Sequence, residues 1–321
     1  MSTYRKYDEG YKKLFSNKEN LIWFLQDVLN EERFRRIEKN DIEIIATESI
    51  NKRWQKKSSD IVYKIKYKDF FFCLTIEFQS KKDKRILHRL YEYMHLIQLK
   101  NKVNGEIPVV VPIVLYNGIS HWKPNEQYSE IILFAEDFPE FAQNFKVIFL
   151  DIKSIPEEKL ISASNVLAIA MYIDQVSNNP ERVLNRILNL RGKIHLNWEQ
   201  REELADWLYE VILRAYGVSE EEAEEMFKKS GLEVDEMFSS TAEKIKQGIE
   251  REKKKIAKEA MKQGMKQGMK QGMKQGMKQG MKQGMKRAMK LIAKQMLKDN
   301  QPIELISKYT GLTPEEIKKL K

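Results

Sequence analysis

The sequence feature that most constrains the fold is a tetrapeptide repeat, Met-Lys-Gln-Gly, which occurs six times without a change from Met261 to Gly284. An α-helix turns once in about 3.6 residues, so each four-residue step carries the next methionine about 40° too far around the helix. The methionines therefore form no steady apolar face, and each glycine costs about 1 kcal/mol relative to alanine. A frayed helix and a disordered tether both fit this segment, and the folded core must come from the rest of the chain.

The net charge of +10 is concentrated around this repeat. Residues 241–300 contain 18 lysines and arginines against 5 acidic residues, whereas residues 1–240 contain 35 against 39. A second basic segment, residues 51–100, has 13 basic and 5 acidic side chains. The pI of about 9.2 therefore describes a basic tail, and a basic patch lies around residues 51–100 whatever the fold.

Composition also excludes several classes of protein. The longest apolar run, the ten residues from Ile107 to Tyr116, is shorter than the roughly 20 residues that a membrane-spanning helix needs. Residues 1–9 are polar and lack the apolar stretch of a secretory signal, so we expect a cytoplasmic protein with no membrane partner. The single cysteine, Cys73, allows neither an intrachain disulfide nor a zinc site built from several cysteines.

The periodicity of apolar residues changes near the middle of the chain. It predicts helices over residues 8–28 and 81–100, and strands near residues 42–46, 59–67, 69–77, 108–116 and 146–152. From Pro156 onward only helical patterns occur. This order predicts an α/β domain over residues 1–155, a helical subdomain over 156–240, the basic repeat segment over 241–298 and a C-terminal helical hairpin over 299–321. The hairpin could be a helix-turn-helix that reads DNA, but a hairpin that docks on another part of a protein is favoured, because two short helices cannot bury a core alone.

The strands between residues 59 and 80 carry the most chemical information. If Lys68-Asp69 is a two-residue turn, the numbers of paired residues sum to 137, which puts Asp60 opposite Glu77. Alternation puts an apolar layer on one face and polar residues on the other, namely Asp60, Lys64, Lys66, Thr75, Glu77 and Gln79. Opposed acids repel, and a divalent metal such as Mg²⁺ between them would remove the repulsion. Alternatively, both acids lie at solvated strand ends and pair with nearby lysines or arginines.

A family resemblance runs in order through the first half of the chain. The residues that carry it are Tyr7-Asp8, Lys12-Lys13-Leu14-Phe15, Ser59–Tyr63, Ile76–Ser80, His88–Tyr93, and Val111–Gly118 with Trp122. Over residues 4–155 this pattern resembles the Rpn/YhgA-like group of transposase-like proteins, the recombination-promoting nucleases of the PD-(D/E)XK superfamily. Residues 310–317 also resemble the usual C-terminal end of these proteins.

The resemblance implies an α/β restriction-endonuclease-like core, in which helices flank a mixed central sheet, followed by an all-α C-terminal region. It also implies Mg²⁺-dependent hydrolysis of phosphodiester bonds in DNA. The two strand acids of the superfamily fall on Asp60 and Glu77, and both would bind the metal. The position that usually holds a lysine is Gln79, a departure that leaves open how the attacking hydroxide is stabilised.

Two further residues match the family with alternatives left open. Asp8 falls on the acid of the first helix, where it either completes the metal shell or is simply favoured by the helix N-terminus. Arg89 either contacts the scissile phosphate of DNA or pairs with Asp83, Glu92 or Asp8.

Two functions follow from these observations. The first is a metal-dependent DNA endonuclease linked to recombination or transposition, in which the basic segment 51–100, with Lys64 and Lys66, contacts phosphates. The alternative is a noncatalytic nucleic-acid-binding or assembly protein on a decayed nuclease fold. The presence of Asp60, Glu77 and Gln79 in register favours the enzyme. One active site cuts one strand, so cleavage of both strands would suit a homodimer.

Overall fold

A computed structural model of the protein describes residues 3–45 and 61–320, with side chains from Asp8 onward. The predicted site residue Asp60 lies outside the described residues. The chain divides into two compact units, residues 1–250 and residues 251–321. Among the described residues, no helix has both the length and the apolar character that crossing a bilayer requires.

The first unit contains one mixed sheet whose five strands lie side by side in chain order. They are β1 (Ile42–Ile45), β2 (Ile61–Tyr67), β3 (Phe70–Gln79), β4 (Val110–Tyr116) and β5 (Ile148–Asp151). Strands β1 to β3 pair antiparallel, whereas β3, β4 and β5 pair parallel. The predicted α/β class, with a mixed sheet flanked by helices and a helical C-terminal region, is confirmed. The five strands form where residues of high β propensity alternate or run together.

The hairpin between β2 and β3 has the predicted register. Tyr67 pairs with Phe70 and Ile61 pairs with Ile76, so the numbers of paired residues sum to 137 along the whole of β2. Lys68 adopts the left-handed φ of 54° that a tight two-residue turn needs. This register fixes which β3 side chains share a face, and Glu77 therefore lies on the face opposite to Phe78.

The predicted single helix over residues 8–28 was wrong, because the structure breaks it at Ser16-Asn17. Helix α1 spans Thr3–Phe15, α2 spans Lys18–Trp23, and a π-helical turn follows over Phe24–Leu29. The Ser16 hydroxyl donates to the Lys12 carbonyl at 2.8 Å, and the Asn17 side chain accepts from the Glu19 backbone N–H at 3.0 Å. The Lys12 carbonyl also accepts the ordinary helical hydrogen bond from the Ser16 backbone N–H at 3.0 Å. The Asn17 side chain, in contrast, satisfies a backbone N–H that a continuous helix would have paired with a carbonyl, so Asn17 caps the start of α2.

Helix α3 packs on one face of the sheet, and several helices pack on the other. The other α-helices of the described residues are α3 (Ile86–Lys100), α4 (Glu157–Ile161), α5 (Val166–Asp174), α6 (Pro180–Asn189), α7 (Trp198–Trp207), α8 (Glu220–Lys229), α9 (Val234–Lys298), α10 (Ile303–Thr310) and α11 (Pro314–Lys318). Leu90 of α3 packs near Val114 on one face. On the other face, a single core joins α1, the sheet, α5 to α8 and the start of α9. Every residue of α5 is buried, as expected for a helix that is apolar all round.

The second unit contains the later part of α9 and the C-terminal hairpin. The repeat from Met261 to Gly284 is helical, and its methionines are exposed, as expected for a stripe that winds around the helix. Helices α10 and α11 pack on the end of α9 through Ala293, Ile306, Leu312 and Ile317. Lys286 also pairs with Glu316 at 2.9 Å. The hairpin therefore buries its apolar face by docking on α9.

Candidate active site

The candidate active site lies near the end of β3, where a charged residue occurs inside a buried strand. Glu77 is only 2% exposed and pairs with Val114 of the parallel strand β4. Side chains at the carboxyl ends of adjacent parallel strands meet at one edge of a sheet, a common place for ligands. A carboxylate is almost never fully buried without a partner or a metal, so Glu77 calls for an explanation.

Two side chains hold one oxygen of Glu77. Its Oε1 accepts a hydrogen bond from Gln79 Nε2 at 2.7 Å and another from Arg89 Nη2, which also makes an ion pair. Arg89, on α3, donates its other terminal nitrogen to Asp83 Oδ2 at 2.9 Å. Of the alternatives open for Arg89, the contact with Asp83 is present, and the sequence reasoning missed the contact with Glu77. These contacts fix the orientation of the Glu77 carboxylate.

The second oxygen of Glu77 is unsatisfied. Oε2 is buried and has no hydrogen-bond partner among the described residues. Burial raises the pKa of Glu77 to about 7, although the charge of Arg89 and the hydrogen bond from Gln79 lower it. A buried oxygen without a partner costs free energy, which binding of a cation would recover. The donor chemistry of Oε2 therefore suits a divalent cation.

Asp8 of α1 lies close enough for its charge to interact with that of Glu77. Its Oδ1 also has no hydrogen-bond partner in the described part of the chain. The pKa of Asp8 is raised to about 7, first by burial, then by the negative charges of Asp174 and Glu77, while Lys12 lowers it. A buried acid that lacks a partner and whose pKa is raised by neighbouring acids is typical of functional sites. The structure thus brings together two of the predicted site residues, Asp8 and Glu77.

Two carboxylates are enough for one kind of metal site. Mg²⁺ commonly binds one or two carboxylates, with water and substrate phosphate completing its oxygen ligands. Asp8 and Glu77 fit this pattern through their unpartnered oxygens. Within the residues described, no group of three or more His, Cys, Asp or Glu side chains is arranged to hold a metal ion. Phosphate and water would therefore have to supply much of the coordination, together with any contribution from Asp60.

Asp174 is a buried acid that the sequence reasoning missed. It lies at the end of α5, and its Oδ2 accepts hydrogen bonds from the Tyr11 hydroxyl at 2.9 Å and from Asn117 Nδ2 at 3.0 Å. Burial raises the pKa of Asp174 to about 6, and these hydrogen bonds lower it. The signal in the sequence is a single acid at the end of an otherwise apolar helix. Through these hydrogen bonds Asp174 connects the end of α5 to Tyr11 on α1 and to Asn117, which directly follows β4.

Lys64 and Lys66 lie away from these carboxylates. Their partners on β3 are Cys73 and Phe71, four and six residues from Glu77, which corresponds to about 13 and 20 Å along the strand. Lys64 Nζ lies 4.2 Å from the centre of the Phe71 ring and 4.0 Å from Glu43 Oε2. Both lysines lie on the same face of the hairpin as Glu77, but this face is not the polar face that alternation predicted, because Val62 and Cys73 form a buried apolar cluster there with Ile97 of α3. The structure does not bring the two lysines to the candidate site.

Comparison with known families adds independent information. A family model described as "Putative transposase, YhgA-like" matches residues 5–204. The matched region includes the whole sheet and the site residues Asp8, Glu77, Arg89 and Asp174. No curated protein and no solved structure gives a significant match. Since the family model covers more than half of the 321 residues, the chain belongs to the YhgA-like transposase family.

Proposed function

We propose that the protein is a metal-dependent DNA endonuclease that acts in transposition or recombination. The observation that carries this proposal is the Glu77 carboxylate, which is buried, held through one oxygen by Arg89 and Gln79, and unpartnered at the other among the described residues. Buried polar side-chain atoms usually have a hydrogen-bond partner, and Asp8 Oδ1 and Asp174 Oδ1 are, like Glu77 Oε2, exceptions among the described residues. Membership of a transposase family supports DNA as the substrate.

Phosphodiester hydrolysis needs a water molecule to attack phosphorus. The water oxygen forms the new bond, the bond from phosphorus to one sugar oxygen breaks, and that oxygen leaves with the electron pair and takes up a proton. A divalent cation at Glu77 and Asp8 would polarise the phosphate and lower the pKa of a bound water. In this scheme Glu77 and Asp8 bind the cation, while Arg89 and Gln79 hold Glu77 in place.

Asp60, Lys64 and Lys66 also have roles in the proposed reaction. Asp60 is the second strand acid that the family resemblance implies. Lys64 and Lys66 contact the DNA backbone some distance from the reacting phosphate, since their positions on β2 are remote from Glu77. Cleavage of both strands would require two sites, which a homodimer would supply.

Nicking of supercoiled plasmid in Mg²⁺ and in EDTA tests the proposal. The informative variant is Glu77→Gln, because glutamine keeps an acceptor for Arg89 and Gln79 but removes the charge that binds a cation. We expect Mg²⁺-dependent nicking by the wild type and a loss of roughly 100-fold or more in E77Q, since metal binding supplies several kcal/mol of charge stabilisation. Asp60→Ala should lose nicking as well.

A matched control and a binding assay complete the experiment. Glu92→Gln makes the same chemical change at an exposed position of α3 and should nick like the wild type. E77Q should still bind DNA in a gel-shift assay. If the wild type binds DNA but never nicks it with Mg²⁺ or Mn²⁺, the protein is a noncatalytic DNA-binding protein and the proposal fails.

A further inference from the structure

Lys12 is a charged side chain at the candidate site to which the proposed mechanism gives no role. It lies on α1 four residues after Asp8, and residues four apart on a helix are neighbours on one face. Lys12 is half-buried, whereas the adjacent Lys13 is exposed and pairs with Asp206 at 2.7 Å. Two successive lysines of one helix therefore have different environments, and only Lys12 shares a face with Asp8.

The packing of α1 fixes where Lys12 can reach. The Tyr11 ring stacks on Phe78, with ring centres 5.9 Å apart and an interplanar angle of 8°. Phe78 lies between Glu77 and Gln79 on β3, and the Tyr11 hydroxyl is held by Asp174 at 2.9 Å. Because its ring and its hydroxyl are both in contact, Tyr11 holds the turn of α1 that carries Lys12 against β3 near Glu77.

The charges that shift the pKa of Lys12 indicate which side chains lie near it. Burial lowers the pKa of Lys12, and the negative charges of Glu77, Glu9 and Asp8 raise it. In return, Lys12 lowers the pKa of Glu77 and of Asp8. A desolvated ammonium beside two carboxylates that suit a cation can contact an anion bound to that cation.

The two side chains that donate to Glu77 are engaged in orienting it. Arg89 donates through both of its terminal nitrogens, to Glu77 and to Asp83. Gln79 is neutral, and its amide nitrogen is bound to Glu77. Gln79 cannot approach a phosphate without giving up the contact that orients Glu77, and the remaining donor of Arg89, Nε, is buried and has no partner among the described residues.

We propose that Lys12 is a catalytic residue that contacts a nonbridging oxygen of the scissile phosphate and neutralises the negative charge that builds up there during hydrolysis. This inference rests on the proposed nuclease function. Lys12 acts as a cation throughout and neither gives up nor accepts a proton. The simpler role is that of a counterion for Glu77 and Asp8, and the two roles predict different effects of removing the charge.

The test compares Lys12→Gln with Lys13→Gln, which makes the same change one residue away. With saturating Mg²⁺ and DNA, K12Q should lower kcat roughly 100-fold, the usual effect of removing one donor to transition-state charge. K13Q should keep the wild-type kcat, and Lys12→Arg should recover part of the loss. Calorimetric titration with Mn²⁺ should show K12Q binding the ion at least as tightly as the wild type, because a positive charge has left the carboxylates. Melting temperatures should be similar.

Each other result overturns the inference. A wild-type kcat in K12Q would make Lys12 a counterion only. Weaker Mn²⁺ binding or a large fall in melting temperature in K12Q would make its role structural. A wild-type protein that cleaves no DNA would overturn the nuclease function as well, whereas an active wild type with an active K12Q would overturn the Lys12 inference alone.

Discussion

Arg89 and Glu77 form an ion pair that is almost completely removed from solvent, with side-chain exposures of 16% and 2%. The pair joins α3 to β3 and binds only one of the two carboxylate oxygens. The guanidinium therefore holds the carboxylate in place through Oε1, and Oε2 has no hydrogen-bond partner among the described residues.

Replacing Arg89 alone should be costly. Arg89→Met should lower the free energy of unfolding by about 3–5 kcal/mol, because it leaves the Glu77 charge buried without its partner. In the double variant with Glu77→Gln, the added loss should be much smaller, since that charge is absent. Urea unfolding at pH 8 in EDTA measures the free energy of unfolding of the single and the double variants. Strictly additive losses would show that the two residues are not energetically coupled.

Stability in EDTA should fall as the pH rises. The folded-state pKa of Glu77, about 7, lies above its ordinary value of 4.5. Between these pH values the unfolded chain loses its proton while the folded protein keeps it, so the free energy of unfolding decreases. The shift of Glu77 corresponds to roughly 3 kcal/mol. Urea unfolding from pH 4.5 to 8 should show the fall in the wild type.

The Glu77→Gln variant is the control for this pH dependence. The free energy of unfolding of E77Q should fall less steeply with pH, because Glu77 no longer titrates and the remaining fall comes from Asp8 and other ionisable groups. Added Mg²⁺ should stabilise the wild type more at pH 8 than at pH 5, where the carboxylates are protonated. Equal pH dependence in wild type and E77Q would mean that Glu77 titrates normally.

The Tyr11 hydroxyl should matter for stability through Asp174. Tyr11→Phe keeps the ring that stacks on Phe78 but removes the donor to a fully buried acid. We expect a loss of about 1–3 kcal/mol, because the buried Asp174 carboxylate loses one of its hydrogen bonds and keeps those from Asn117 and Ser177. Tyr67→Phe, at a half-exposed ring, should cost much less. Equal effects in thermal unfolding would remove the role assigned to the Tyr11–Asp174 contact.

The Met-Lys-Gln-Gly repeat should tolerate changes in length. Its methionines are exposed and its glycines have no neighbour within 4 Å of an added Cβ. Deleting two units should leave the melting temperature and the turnover at saturating DNA unchanged. The affinity for DNA should fall, and its salt dependence should flatten by up to about 0.9 for each phosphate that the shortened repeat no longer neutralises.

A variant of equal length separates charge from length. Replacing the lysines of two units with glutamine should flatten the salt dependence as much as the deletion does. If the deletion instead unfolds the first unit or stops cleavage of saturating DNA, the repeat does more than bind DNA.

Local patterns predicted much of the fold. The five strands and the register of the β2–β3 hairpin follow from alternation and one turn, because both are short-range properties. The break at Ser16-Asn17 was missed because apolar spacing continues across it, and the polar signal is the Asn17 side chain that caps α2. The winding of the methionine stripe was predictable from helix geometry alone.

The candidate site was less predictable, because its contacts join distant parts of the chain. Asp8 and Glu77 could be named from the family resemblance, but the burial of their oxygens depends on helices far along the sequence. The hydrogen bond between Asp174 and Tyr11 joins residues that are 163 positions apart in the sequence, so no local pattern predicts it. Lys64 and Lys66 share a face with Glu77, yet distance along the strand separates them from it.

Diffraction from crystals soaked with Mn²⁺, recorded at a wavelength where manganese scatters anomalously, tests the central claim most directly. The ion should lie about 2.1 Å from Glu77 Oε2, the distance typical of carboxylate ligands of small divalent cations. Asp8 should lie beside it, and the peak should be absent in Glu77→Gln crystals. Mn²⁺ bound only elsewhere, in a protein that cleaves DNA with that ion, would contradict the assignment of Glu77 as the metal ligand.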